Sequence, residues 1–481
     1  MKQMEKIISL ILSLLLLLSC AACGGPSLGD GAALSETGAQ TGNGEKNDGE
    51  IKLPEGFSVG FGRADMTPEV PVTLGGHTTA TKVSDKLFAT CVAVSDGENT
   101  ALLFHMDMKD IPEKTYEYAT RRIQQKLGIA PENVILTATH THSSPHTDLS
   151  EDPNCIHWYQ IIYNAVAEAA EEAMRDLALS DVYTGTGDTT GFAFVRRYLM
   201  ADGSYQTNPS SSDQPVAHET EADPELRVIR FDRGEKKDVV LVNWQAHAAH
   251  AVSAHSDAVS SDFIHYLREG VEKDLDADFA YFNGASGNIN LTDLLGNQKH
   301  AGYDKVGKAL VDVVKDAVRN EEKVESGSVV IKRSFVDGNV TQDSAERRAQ
   351  AAEWAAAPEK DKGSILAKYS FQSQYEAIAV NTRAKMDPVT GIPLSVISFG
   401  DVAICANPFE YFDTNAKEIR DASPFKMTFT CGYSNGSFGY MPAEEVFPHG
   451  GYEVYVSRFE AGTAEKCAEE TLRMLRENKE N

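Results

Sequence analysis

Basic charge is what this chain has least of. Lysine and arginine total 45 against 71 aspartates and glutamates, a formal net charge of −26 at pH 7. Phosphate binding needs a basic surface, so nucleic acid is excluded as a partner, and the acidic exterior is read as a source of solubility. Cysteine is sparse too. Past residue 23 only Cys91, Cys155, Cys405, Cys431 and Cys467 remain, odd in number, irregularly spaced and without a CxxC pair. That argues against a disulfide framework and against a cysteine zinc site. No internal repeat is visible. Otherwise the composition, 42% hydrophobic and 24% charged, is ordinary for a globular protein.

What is present begins with an export signal. Residues 1–23 open with Lys2 and Lys6, run through Ile7 to Leu18 almost without a polar side chain, and close on Ser19-Cys20-Ala21-Ala22-Cys23. The apolar run is too short to span a bilayer comfortably, and cysteine after small residues suggests a bacterial lipoprotein signal. The expectation is a chain lipid-anchored to the outer face of the cell membrane through a diacylated cysteine. Cys20 has the preferred leucine upstream and Cys23 has the small residues, so both remain candidates. Residues 24–52 hold few large apolar side chains and are read as a flexible tether. One large domain is expected over 53–481.

Within that domain, apolar runs at 59–65, 87–94, 101–104, from 133 into the histidines at 140 and 142, 238–245, 278–283, 393–399, 401–406 and 426–431 predict strands. Helical spacing predicts helices over 112–126, from Trp158 onward, 262–274, 303–318, 345–357, from about 410, and 463–477. Alternation of the two makes the class α/β, with mixed sheets flanked by helices. The segment from about 336 to 388 carries a weaker signal and reads as an insertion or a mobile cover, with polar connections after its one helix.

The chemistry concentrates where Asn133-Val134-Ile135-Leu136-Thr137-Ala138-Thr139 runs into His140-Thr141-His142-Ser143-Ser144-Pro145. Side chains alternate faces along a strand, so His140 and His142 are expected on one face at its end. One would bind a metal while the other handles protons. Val239 to His247 repeats this grammar, an apolar strand ending in histidine. His250, His255 and Asp262 follow.

These pieces resemble the catalytic domain of the neutral/alkaline non-lysosomal ceramidases, zinc-dependent hydrolases of an N-acyl amide bond. The matching stretches are Gly62-Arg63-Ala64-Asp65-Met66-Thr67, Thr137 to Ser143, Asn243-Trp244-Gln245-Ala246-His247, Asn283 to Asn290, Asn407-Pro408-Phe409-Glu410, Gly439-Tyr440-Met441-Pro442 and Gly451-Tyr452-Glu453, in that order. The resemblance implies that His140, His247, Glu410 and Tyr440 bind zinc. It implies that His142, Arg196 and Tyr452 surround the scissile amide; Arg197 is adjacent to Arg196, and Val195 stands where the family has asparagine.

The chemistry agrees. Imidazole and carboxylate ligands leave zinc room for a water whose pKa falls to about 7. An arginine, a phenol and a free histidine are suitable donors to the oxyanion and the leaving amine. Two departures refine the expectation. Asn290 replaces the serine proposed as a nucleophile in the family, which leaves attack by zinc-activated water and a substrate-orienting role for Asn290. The chain also stops soon after Tyr452, so the β-sandwich domain that follows in full-length ceramidases is not expected. The substrate is therefore read as a ceramide-like lipid amide, or alternatively another small amide or an ester. A non-catalytic surface binding lipoprotein is the reading from another class; all four ligand positions are filled by the expected residue types.

Overall fold

A computed structural model describes residues 51–75, 78–147 and 152–480. The expected signal, its cysteines and all but the end of the tether lie outside the described residues. Three segments of chain each build one sheet. The first contains β1 (Ser58–Asp65), β2 (Phe88–Ser95), β3 (Thr100–Met106), β4 (Val134–Ala138) and the short β5 (Ala178–Leu179), in the order β4-β3-β2-β1-β5. The second contains β6 (Asp181–Asp188), β7 (Glu225–Asp232), β8 (Val239–Trp244), β9 (Asp278–Asn283) and β10 (Glu322–Val324), in the order β9-β8-β7-β6-β10. The third is β11 (Val329–Asn339), β12 (Val389–Phe399), β13 (Val402–Ala406) and β14 (Met427–Cys431), in sequence order.

The same wiring recurs in all three. Three antiparallel strands run as a meander, and the chain then crosses over through a helix to pair a fourth strand parallel to the third. The crossover helices are α1 (Glu113–Leu127), α3 (Phe263–Leu275) and α8 (Asp413–Asp421). The topology thus repeats although the sequence shows no period. The remaining helices are α2 (Pro153–Arg175), α4 (Tyr303–Arg319), α5 (Ala345–Ala356), α6 (Glu359–Lys368), α7 (Gln374–Arg383) and α9 (Thr463–Lys479). Short turns of helix at His250–Ala254 and Tyr452–Val456 carry no label.

Period-two alternation explains why the central strands read as unbroken apolar runs. On β3, Leu102, Phe104 and Met106 pack outward against the α1 and α2 side, while Ala101 and Leu103 face inward. On β8, Val240, Val242 and Trp244 meet α3 and α4, while Val239 and Leu241 face inward. On β13, Ala403 and Cys405 pack with residues of α8 and α9, while Val402, Ile404 and Ala406 face inward. The inward sets join one central cluster that includes Val59, Ile135, Phe231, Phe282, Phe399 and Phe429. The result is one α/β domain of mixed sheets flanked by helices. No separate β-sandwich occurs among the described residues. The five cysteines of this region are free and buried, and no described helix is long and apolar enough to cross a membrane.

Two expectations are corrected. In the segment from 336 to 388, β11 continues to Asn339, and α6 and α7 occupy the stretch read as polar connections. Lys332, Arg333 and Ser334 sit on an edge strand, where one side stays solvated and no apolar run is required. The helix expected from about 410 starts at Asp413, because Glu410–Tyr411 pairs in parallel with Tyr440–Met441.

Candidate active site and metal centre

The repeated wiring brings three chain crossings to one point. His140 follows β4, His247 follows β8 and Glu410 follows β13, so each sheet delivers one side chain from a strand's carboxyl end, where open α/β sheets place their ligands. Tyr440 is set beside Glu410 by their parallel pairing. Gly287 permits this crossing: its N–H donates to the Tyr411 carbonyl at 2.9 Å, and a Cβ there would lie 2.3 Å from the Glu410 carbonyl oxygen.

The sequence brought His140 and His142 together by strand alternation, and that reason is corrected. β4 ends at Ala138, and His140 itself has φ +64°, in the left-handed region. Thr139 N–H still donates to the Met106 carbonyl as the ladder's last bond, and the chain turns at His140, whose N–H donates to the Met108 carbonyl. The turn still converges the rings, with His142 Nε2 3.2 Å from His140 Nε2. His140 Nε2 is also 3.1 Å from His247 Nε2. One nitrogen from each of the three imidazoles lies within 4.8 Å of the others.

Their protonation is set by backbone acceptors. His140 Nδ1–H donates to the Lys109 carbonyl at 2.8 Å, and His247 Nδ1–H donates to the Ser286 carbonyl at 2.8 Å. In the neutral form of each ring, Nε2 is then the nitrogen with the lone pair, and the two Nε2 atoms face the same point. Burial, with help from Arg196, lowers the His247 pKa to about 4, so this ring is neutral at pH 7. Glu410 Oε2 lies 3.4 Å from each of the two Nε2 atoms. It is buried and has no hydrogen-bond donor. Two lone pairs and an orphaned carboxylate oxygen facing one another form a donor set that fits a divalent cation such as zinc. Each of the two imidazoles has its second nitrogen anchored, as metal-ligating histidines almost always do.

His142 differs. Its backbone N–H donates to the Ala248 carbonyl at 2.9 Å, but its Nδ1 meets no partner among the described residues. Burial first, and then the neighbouring His140, hold its pKa well below the ordinary value.

Arg196 closes the opposite side. Its Nη2 donates to Tyr440 Oη at 3.0 Å, and Tyr440 Oη lies 3.5 Å from His247 Nε2. Burial opposes the Arg196 charge, but Tyr440, Glu453 and Glu410 more than offset it and keep the guanidinium ionised. Arg197 points away, pairing with Glu219 at 2.5 Å. Glu453, fully buried, holds both arginines, Arg196 at 2.9 Å and Arg197 at 2.9 Å. Tyr452 stacks edge-to-face on Tyr440 with centroids 5.4 Å apart. Asn290 is not joined to the cluster: its side-chain amide donates to Asn208 at 2.8 Å.

Three partners escaped the sequence. Tyr433 stacks on His140 at 4.0 Å, the Ser286 carbonyl anchors His247, and Glu453 fixes the arginines. Glu453 left a signal, lying next to Tyr452 in a matched stretch. Ser286 lies in the matched stretch Asn283 to Asn290, but the group that acts is its carbonyl, whose role depends on no side chain.

The model of the "Neutral/alkaline non-lysosomal ceramidase, N-terminal" family matches residues 57–297. The chain belongs to that family. The match contains His140, His142, Arg196 and His247, while Glu410, Tyr440 and Tyr452 lie beyond it. The neutral ceramidase of Mycobacterium tuberculosis is 22% identical over 213 residues, covering 42% of this chain and 31% of that protein. The neutral ceramidase of Drosophila pseudoobscura pseudoobscura is 24% identical over 233 residues, 45% of this chain and 32% of its own. These matches span only about a third of each relative's length. The crystal structure of neutral ceramidase from Pseudomonas aeruginosa superposes with a TM-score of 0.67 at 16% identity, covering 88% of this chain and 74% of that one. A ceramidase complexed with C2 superposes at 0.65 and 15% identity, covering 89% and 76%. At those identities the structural likeness speaks for the fold.

Proposed function

We propose that this ceramidase-family protein is a zinc-dependent hydrolase of an N-acyl amide bond, acting from a lipid anchor on the outer face of the bacterial membrane. The observation that carries the reading is the unpaired Glu410 Oε2 at 3.4 Å from two imidazole nitrogens whose other nitrogens are anchored. His140, His247 and Glu410 would hold the ion, with Tyr440 as a fourth ligand. Zinc, when bound, lowers the pKa of an attacking water to about 7 and polarises the amide carbonyl.

The remaining steps belong to side chains. His142, neutral and with an uncommitted Nδ1, accepts the water's proton and returns it to the leaving amine nitrogen. Arg196 and the Tyr452 hydroxyl donate to the oxygen that gains charge in the transition state. Asn290 offers a weakly nucleophilic carboxamide where the family has a serine hydroxyl, so direct attack by water on the carbonyl, without an acyl-enzyme, is the path consistent with this chain. A second reading concerns only the ligand set: the 3.2 Å approach of His142 to His140 favours three imidazoles around the ion, with Tyr440 outside it. The bond broken belongs either to a ceramide-like lipid or to another small amide or ester.

The test is hydrolysis by the purified protein of ceramides, short N-acyl amides and matching esters, before and after chelation. Amide cleavage that disappears with chelator and returns with zinc is expected. Zinc-loaded protein that turns over none of these substrates would leave a binding protein instead.

A further inference from the structure

A cavity of about 630 Å³ opens beside the cluster, with Tyr452 in its wall. Three segments form it: the stretch around Tyr205–Thr207, the loop before α7 with Gln372, and the chain from Pro448 to Tyr455. It is joined directly to the arginine network, because Thr207 Oγ1 donates to Glu453 at 2.6 Å and His449 Nδ1 contacts Glu219 at 2.8 Å. Its α7 side is fixed as well. Arg383 pairs with Asp343 at 2.8 Å and donates to the Ser457 carbonyl at 2.7 Å, tying α7 to the turn that carries Tyr452.

The lining is unusual for a site meant to take an alkyl chain. It holds no leucine, isoleucine, valine, phenylalanine or methionine. Among the described residues, the amides of Gln206 and Gln372, the hydroxyls of Tyr452 and Tyr455, and His449 Nε2 have no protein partner for hydrogen bonding. Its apolar surface is Pro448 and aromatic rings, among which Tyr205 and His449 lie stacked with centroids 4.0 Å apart and planes 16° from parallel. An alkyl occupant would strip water from five polar groups and return nothing to them, which is unfavourable. A ligand bearing several hydroxyl or amide groups satisfies them while its flatter face rests on the rings. The size is that of a small-molecule site.

The geometry points to this cavity as the binding site for a polar part of the substrate, rich in hydroxyl or amide groups, and not for a lipid tail. The inference rests on the hydrolase reading only for its link to the scissile bond. The test is calorimetry on the full zinc-loaded chain with two acetamides that share the cleavable bond, N-acetylglucosamine and N-acetylhexylamine. The sugar amide is expected to bind at least about tenfold more tightly, since sites built from hydrogen-bonding groups discriminate strongly against analogues that lack them. Gln206→Leu with Gln372→Leu, both exposed positions, should abolish that preference while leaving the fold intact. Equal or tighter binding of the hexyl compound, no binding of either, or a preference that survives the double substitution overturns the inference. Hydrolysis is recorded separately. Selective sugar-amide binding with no turnover of any amide keeps the cavity and sinks the hydrolase reading; amide turnover with tighter hexyl binding does the reverse.

Discussion

Replacing Glu453 by glutamine removes one charge from the most enclosed part of the molecule. Glu453 Oε1 accepts from Arg196 Nε at 2.9 Å, and Oε2 accepts from Arg197 Nη1 at 2.9 Å and from Thr207 Oγ1 at 2.6 Å. With Glu219, the two carboxylates balance the two guanidiniums, so Glu453→Gln leaves one buried positive charge uncompensated. Breaking a buried pair in this way costs about 3–5 kcal/mol. Unfolding entropy of about 2.1 cal/mol/K per residue over roughly 430 residues converts this to a fall in Tm of about 3–6 °C. Catalysis should suffer separately, because Arg196 loses the anchor opposite Tyr440; a misplaced donor at a reacting centre costs roughly 10²-fold in kcat.

Glu219→Gln supplies the comparison. Glu219 bonds Arg197 and His449 but not Arg196. It should therefore cost similar stability with a much smaller loss of turnover on a short N-acyl amide. Thermal unfolding and steady-state kinetics on the three proteins decide the matter. If Glu453→Gln changes neither, or if Glu219→Gln damages turnover equally, the positioning role of Glu453 is wrong.

Three further outcomes are expected. Asn290→Ala should retain substantial activity, since its amide is occupied by Asn208; a covalent acyl-enzyme trapped on any serine, seen by mass spectrometry, would contradict this. Burial pushes the Asp107 carboxyl up, but Arg268 and His105 hold it at about 2. Against an unfolded value near 3.9, Asp107 contributes stability that is fully present above pH 4 and lost as pH falls toward 2, about 2.5 kcal/mol in all. Asp107→Asn should be less stable at pH 7 yet lack that part of the acid-induced loss in denaturant titrations, and an unchanged pH profile refutes it. Replacing both Cys20 and Cys23 by serine should move the protein from the membrane fraction to the soluble fraction; wild-type protein that is already soluble defeats the anchor.

How much was legible can be traced to particular residues. His140, His247 and Glu410 stand just past apolar strands, and burial on both faces makes those strands conspicuous. β6 shows no apolar run, because Gly185 and Gly187 take alternate positions in it. Their role is close approach: a Cβ on Gly185 would meet the Ala317 carbonyl of α4 at 2.3 Å. β7 was passed over although Leu226, Val228, Ile229 and Phe231 are all buried, because its intervening charges pair with distant partners such as Glu321. The choice between Arg196 and Arg197 was open in sequence because neighbouring residues differ only in direction. Here one side chain meets Tyr440 and the other Glu219. The threefold recurrence of meander and crossover was hidden for a related reason, since hydrogen-bond topology needs apolar faces but no shared residues.

Zinc content per chain tests the central claim most directly, measured by elemental analysis on wild type, His140→Ala and His142→Ala alongside amide hydrolysis. The account predicts about one zinc in wild type. It predicts loss of both zinc and activity in His140→Ala. In His142→Ala, zinc stays near-stoichiometric while turnover falls by about 10²- to 10⁴-fold. Metal retained by His140→Ala, or full amide hydrolysis by protein stripped of zinc, would contradict it.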